Sequence, residues 1–268
     1  MIKVNGVTVV QGNFPDGTLS TRAPIDKYQD VYRFDWKYEN DAELFTLICL
    51  RKHYGNKKAV LYMPYCPHAR MDRVKNDADV FTLKYFAEVI NSLDFDRVII
   101  RDPHSSVTPA LINNCMIEEP VVAINRAVET SGADAICYPD EGAMKRYSAM
   151  SLLPYAFCVK KREWETGTIL GLDLQNPEAI VGKNVLIVDD ICSRGGTFYY
   201  TAKALKEAGA KSVSLYVTHL ELTVLEGELY VAMVEDNLID HIFTTDSIWN
   251  NHNTNITVVN NVPVGGSK

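Results

Sequence analysis

Groups able to do chemistry crowd into one short run, Val188-Asp189-Asp190-Ile191-Cys192-Ser193-Arg194-Gly195-Gly196-Thr197. Two successive carboxylates leave an apolar stretch, then hydroxyls, a guanidinium and two glycines follow before a helical pattern begins. Carboxylates make charge-assisted hydrogen bonds to vicinal hydroxyls such as those of a ribose. A glycine-bearing turn that opens a helix offers unpaired backbone N–H groups and a positive helix end to a phosphate. Its glycines let the backbone approach closely. Asp189 and Asp190 therefore read as anchors for a diol. Ser193, Arg194, Gly195, Gly196 and Thr197 read as a nest for a sugar phosphate. An acid pair after a strand is common on its own. It is the complete string, in its strand–turn–helix context, that is specific.

Other short runs carry related groups. Arg70, Asp72 and Arg73 stand in Ala69-Arg70-Met71-Asp72-Arg73, and His104 closes Arg101-Asp102-Pro103-His104. Asp140 lies in Tyr138-Pro139-Asp140-Glu141-Gly142, and Lys160-Lys161-Arg162 is a block of cations. Arginine forks suit phosphate. A histidine and an aspartate at two strand ends suit a shared metal. Singly, each run also has a plain reading, as solvated charge or a satisfied polar histidine.

The elements that must hold these groups alternate along the chain. Residues 27–38, 59–65, 97–104, 135–140, 155–162, 184–190, 212–220 and 241–247 read as strands. Helical spacing follows Asn40, a candidate cap, and recurs at 78–93, 107–114, 120–131, 143–150 and 195–210. The alternation predicts an α/β protein with mostly parallel sheets flanked by helices. Its restart predicts two similar tandem domains, 1–133 and 134–268. Charged and small residues collect at strand carboxyl ends, where open α/β sheets bind ligands. Residues 163–182 are polar and glycine-bearing, which predicts a loop that is mobile until substrates close it.

Composition narrows the function classes. The net charge of −7 argues against bulk attraction to nucleic acid or anionic membrane. The 6 cysteines form no CxxC pair and several sit in apolar runs, which predicts buried free thiols. The N-terminus lacks the basic and apolar regions of a secretory signal, and no apolar run reaches the roughly 18–20 residues of a membrane span. A cytoplasmic setting follows.

The 188–197 string resembles the phosphoribosyl diphosphate motif of the type I phosphoribosyltransferase fold. More of the chain resembles one branch, the ribose-phosphate diphosphokinases, or PRPP synthetases. Phe14-Pro15-Asp16-Gly17 is similar to their FPDGE loop, and residues 59–73, AVLYMPYCPHARMDR, to their strand ending in PYxxYARQDR. Asp102-Pro103-His104-Ser105 is similar to DLHS, residues 138–146 to SPDAGGAKR, and Lys160-Lys161-Arg162 to the KRR that starts their catalytic loop. These segments occur in family order over nearly the whole chain.

The resemblance implies two phosphoribosyltransferase-like domains, an N-terminal one for ATP and a C-terminal one for ribose phosphate. It implies transfer of the β,γ-diphosphate of ATP to the anomeric hydroxyl of a ribose 5-phosphate unit, with AMP leaving. Lys160 and Arg162 would be the catalytic cations. Phe14, Asp16, Arg70, Asp72, Arg73 and His104 would bind ATP, and His104 and Asp140 would hold Mg2+. Asp189, Asp190 and residues 193–197 would bind the acceptor. A homo-oligomer, dimer or larger, is implied, with Phe14 and Asp16 reaching a neighbouring subunit's ATP site.

The chain also departs from the pattern. Thr18 stands where the family has glutamate, and Met71 where it has glutamine. The family's phosphate turn reads DT or ST before two small residues and threonine, whereas this one carries Arg194. A guanidinium there favours a second phosphate, so the expected acceptor is a 5-substituted ribose phosphate such as ADP-ribose, slightly ahead of a firmer grip on ribose 5-phosphate itself, with an Arg194 that points into solvent as the third reading. A phosphoribosyltransferase using PRPP and a nucleobase, or a non-catalytic relative of the synthetases, are the competing readings.

Overall fold

The structure is a computed structural model that describes residues 1–24, 29–162 and 169–260, with only the backbone described at 160–162, 169–171 and 234. The chain forms two compact units, Met1–Glu119 and Pro120–Lys268.

In the first unit, strand Val31–Trp36 alternates as its sequence predicts: Tyr32, Phe34 and Trp36 are buried while Val31 and Arg33 face outward. It lies in a sheet with Val7–Thr8, Ile2–Val4, Lys58–Met63, Arg97–Arg101 and Cys115–Glu118. From Val31–Trp36 onward the pairings are parallel, and the two N-terminal strands are antiparallel. Helices Ala42–His53 and Thr82–Ser92 bury Leu47, Leu50, Leu83, Phe86 and Ile90 in the core that holds Phe34, Trp36, Leu61 and Ile100. At the start of the first helix, Asn40 Oδ1 accepts from Ala42 N–H at 3.1 Å, but the cap position itself is Asp41. A hairpin of Val10–Asn13 and Leu19–Arg22 forms a separate two-stranded sheet.

The second unit has a seven-stranded sheet ordered Ile169–Gln175, Tyr155–Arg162, Ala135–Tyr138, Asn184–Cys192, Ser212–Leu220, His241–Thr244 and Ile256–Val258. All neighbours are parallel except the first pair. The apolar run of Asn184–Cys192 is continuous because both faces are covered. On one face Val185 and Ile187 pack with Phe198, Ala202 and Leu205 of helix Gly196–Glu207. On the other, Leu186 and Val188 pack with Ala123, Ile124 and Ala127 of helix Val121–Ser131 and with Ala143 and Tyr147 of helix Glu141–Tyr147.

Three details differ from the sequence reading. Helix Val121–Ser131 belongs with the second unit because its apolar face joins that unit's core, so the compact units divide at 119/120 rather than 133/134. Residues 169–175 are a strand, not an open loop; Leu172 and Leu174 alternate toward the core while the backbone pairs with residues 157–162. Of the expected loop, residues 163–168 lie outside the described residues. The short strand Cys115–Glu118 falls between the helical runs 107–114 and 120–131, where the sequence reading assigned no element. The cysteines are free thiols as expected, with Cys66, Cys137, Cys158 and Cys192 buried. Among the described residues, no helix is long and apolar enough to cross a membrane.

Candidate active site

Ala135–Tyr138 and Asn184–Cys192 are neighbouring parallel strands with Leu186 opposite Ile136, so they deliver Asp140 and the Asp189–Asp190 pair to the same end of the sheet. Asp140 is extended, and its Oδ1 accepts from Ala143 N–H at 3.0 Å, capping helix Glu141–Tyr147. Asp190 is buried, with Arg146 Nη1 at 3.9 Å from its Oδ2, and its N–H donates to Asp189 Oδ1 at 2.9 Å. Burial pushes the Asp189 carboxyl well above the usual carboxylate range, and the charges of Asp190 and Asp140 push the same way. Asp189, Asp190 and Asp140 thus cluster, with Arg146 beside Asp190. The arrangement suits hydroxyl donors or a bound cation.

The turn that follows is held by an interlock. Gly195 sits at φ +83°, and a Cβ there would come within 2.2 Å of Leu229 Cβ. A Cβ on Gly227 would come within 2.1 Å of the Arg194 carbonyl oxygen, which accepts from Leu229 N–H at 3.3 Å. Ser193 Oγ and Thr223 Oγ1 are hydrogen-bonded at 3.1 Å. Helix Gly196–Glu207 has Gly195 at its cap position and no side-chain cap, so its first-turn amides have no intrahelical acceptor. Arg194 and Thr197 are exposed, and among the described residues the Arg194 side chain makes no hydrogen bond or ion pair. Asp189, Asp190 and residues 193–197 thus lie along one strand end and the turn that follows it, with Asp140 near Asp189.

In the first unit, Arg70, Asp72 and Arg73 follow strand Lys58–Met63, and His104 follows its parallel neighbour Arg97–Arg101. Asp72 is buried, with Arg73 Nε at 2.8 Å from its Oδ1. Burial works to raise the Asp72 carboxyl, but hydrogen bonds from Arg73 and Ser105, with the charges of Arg73 and His104, hold it below the usual range. Arg70 and Arg73 are exposed at this end. Phe14 and Asp16 stand apart, at the tip of the separate hairpin. Phe14 is 56% exposed, and Asp16 Oδ1 accepts from Thr18 Oγ1 at 2.7 Å and Thr18 N–H at 3.0 Å. Those two bonds from Thr18, hydroxyl first, lower the Asp16 carboxyl. Thr18, which replaces a glutamate of the family loop, is a partner for Asp16 rather than an added charge.

The side chains of Lys160 and Arg162 lie outside the described residues; their backbones pair with Leu172 and Ile169, with a bulge between Lys161 and Arg162. Among the described residues no group of three or more His, Cys, Asp or Glu gathers around a metal-sized site. Magnesium binds through few protein ligands because it keeps waters and substrate phosphates. The oriented Asp140 carboxylate is a hard oxygen donor that fits it; an imidazole such as His104 is a softer one. Sequence reasoning missed Ser105, Thr223, Gly227 and Glu228 as neighbours of the site. Ser105 stood in the quoted Asp102–Ser105 run, and Gly227 stands between Glu226 and Glu228.

Comparison with known proteins identifies the family. A model of the phosphoribosyl transferase domain matches residues 152–250. The ribose-phosphate pyrophosphokinase of Mycoplasma pneumoniae is 30% identical over 256 residues, covering 90% of this chain and 76% of that protein. The chain belongs to the ribose-phosphate pyrophosphokinase family. Other pyrophosphokinases of the family, from Saccharolobus solfataricus and Enterococcus faecalis, are 27% and 28% identical over 78% and 98% of this chain and 75% and 78% of their own. A solved phosphoribosylpyrophosphate synthetase from Mycobacterium smegmatis shares the fold, with a TM-score of 0.72 at 18% identity over 94% of this chain and 85% of that one. The pyrophosphokinase fold, two phosphoribosyltransferase-like domains in tandem, therefore spans both units, as the sequence resemblance implied.

Proposed function

We propose that the protein transfers the β,γ-diphosphate of ATP to the anomeric 1-hydroxyl of a ribose 5-phosphate unit, and that its preferred acceptor is ADP-ribose. By family the chain is an enzyme, a diphosphotransferase. In the proposed step the sugar 1-oxygen bonds to the β-phosphorus as the bond to the α,β-bridging oxygen breaks. AMP leaves with that electron pair, the hydroxyl proton passes to solvent, and the product is a ribose 1-diphosphate. Such chemistry is mostly positioning and charge neutralisation.

Asp189 and Asp190 would hold the 2- and 3-hydroxyls, and the uncapped turn at Gly195 to Thr197 the 5-phosphate. Arg70 and Arg73 would grip ATP phosphates, with Asp72 orienting Arg73, and Phe14 and Asp16 would contact adenine across a homo-oligomer. Lys160 and Arg162 would stabilise charge on the transferring diphosphate. His104 and Asp140 are the residues that would hold Mg2+, which when bound supplies neutralisation of the ATP phosphate oxygens. Free buried thiols accord with a reducing cytoplasmic setting.

The observation that carries the acceptor is Arg194, exposed and without a partner among the described residues at the rim of the phosphate turn. A guanidinium placed there meets the second phosphate of a diphosphate-linked ribose. AMP release from ATP and Mg2+ with each acceptor tests this. ADP-ribose should be turned over, and Arg194→Ala should lower kcat/KM for it about tenfold while changing that for ribose 5-phosphate less. Turnover with ribose 5-phosphate and none with ADP-ribose would overturn the acceptor; no AMP release with either would overturn the reaction. A phosphoribosyltransferase would account for the second unit alone, whereas the likeness extends over both.

A further inference from the structure

We infer that Glu228 is a specificity-determining residue that turns the acceptor site away from a terminal phosphate and toward a bridged one. This rests on the reading of residues 193–197 as the acceptor's phosphate turn. Glu228 opens helix Glu228–Val234, a segment far along the chain from the turn. The interlock of Gly227 with the Arg194 carbonyl and of Leu229 with Gly195 brings it there. Its carboxylate carbon and oxygens lie 3.8–3.9 Å from where a Cβ on Gly196 would stand, beside the first turn of helix Gly196–Glu207. Glu228 is exposed, and among the described residues its side chain has no hydrogen bond or ion pair, not even with Arg194 across the same turn.

A phosphate nest bordered by a carboxylate discriminates by charge. A terminal phosphate has a second pKa near 6 and carries close to two negative charges at neutral pH. A phosphate inside a diphosphate bridge carries one. The dianion meets more repulsion from Glu228 than the bridged phosphate does. Arg194 offsets the second bridged phosphate, and Glu228 can then accept from hydroxyls of the group beyond it. The pair of unpaired opposite charges on one rim fits a ligand that continues past the 5-phosphate with anionic and then hydroxylic groups. A free ribose 5-phosphate would use neither well.

The test is AMP release by the full-length protein with ATP and Mg2+, comparing wild type, Glu228→Gln and Glu228→Lys with both acceptors. Glu228→Gln should raise kcat/KM for ribose 5-phosphate about tenfold, mostly through KM, and lower that for ADP-ribose about threefold. Glu228→Lys should widen both shifts. In wild type, KM for ribose 5-phosphate should fall as pH drops from about 8 to about 6 and the phosphate becomes a monoanion, and this slope should be lost in Glu228→Gln. Equal shifts for both acceptors, or an unchanged ratio and pH slope, overturn the inference. If wild type uses ribose 5-phosphate only, the ADP-ribose reading fails while the variant's effect on ribose 5-phosphate still decides the role of Glu228.

Discussion

The strand ends of the two units solve opposite electrostatic problems. In the N-terminal unit the buried carboxylate, Asp72, is matched by Arg73 and Ser105 and lies near His104, and its carboxyl stays low despite burial. In the C-terminal unit burial drives the Asp189 carboxyl up, and the charges of Asp190 and Asp140 add to it. One end is balanced before any ligand arrives, with Arg70 and Arg73 exposed beside it to receive anions. The other sets like charges side by side, with Arg146 Nη1 3.9 Å from Asp190 Oδ2.

The largest expected effect breaks the C-terminal end mechanically. Gly195→Ala puts a side chain at φ +83° and against Leu229, and should cost about 3 kcal/mol of stability and disorder the phosphate turn, read by chemical denaturation and by loss of AMP release. Next, Asp189→Asn should lower acceptor kcat/KM about 100-fold, because a charge-assisted bond to the sugar is lost, yet raise Tm, because a crowded charge is removed. A fall in Tm would show that Asp189 is not under the strain described. The smallest effect concerns acid stability. The folded-state carboxyl of Asp72 lies below its unfolded value, so its contribution is present above that unfolded value and is lost as pH falls through the folded one. Asp189 is raised instead, so its state favours the fold at low pH and loses that advantage as pH rises. Tm against pH should therefore lose part of its acid-side fall in Asp72→Asn and rise relative to wild type at neutral pH in Asp189→Asn.

Legibility followed distance along the chain. The 188–197 motif was readable because strand, carboxylates, turn and helix are contiguous, so each residue type reports on its own neighbourhood. The same holds for the alternation of strand Val31–Trp36 and for the apolar run of Asn184–Cys192. Strand Ile169–Gln175 was not readable: its two glycine- and aspartate-bearing positions resemble a loop, and pairing with residues 157–162 decides its state. Helix Val121–Ser131 was recognised as a helix but placed with the wrong core, since its apolar stripe names no partner. Ser105 at Asp72, Thr223 at Ser193 and Glu228 at Gly196 were missed as contacts, because no local pattern records which segment folds onto a turn.

By itself, the sequence determined the α/β alternation, the family, and the identity of the charges that could reach a sugar phosphate and ATP. Those properties depend on side-chain chemistry and on periodicities a few residues long. Only the tertiary structure decided which charges are balanced. Asp72 and Asp189 are the same residue type, yet one is held low and the other forced high. Burial raises both; at Asp72 it is outweighed by Arg73, Ser105 and His104, whereas at Asp189 the charges of Asp190 and Asp140 add to it. A carboxyl's proton affinity is set by burial and by neighbours in space, and packing chooses those neighbours.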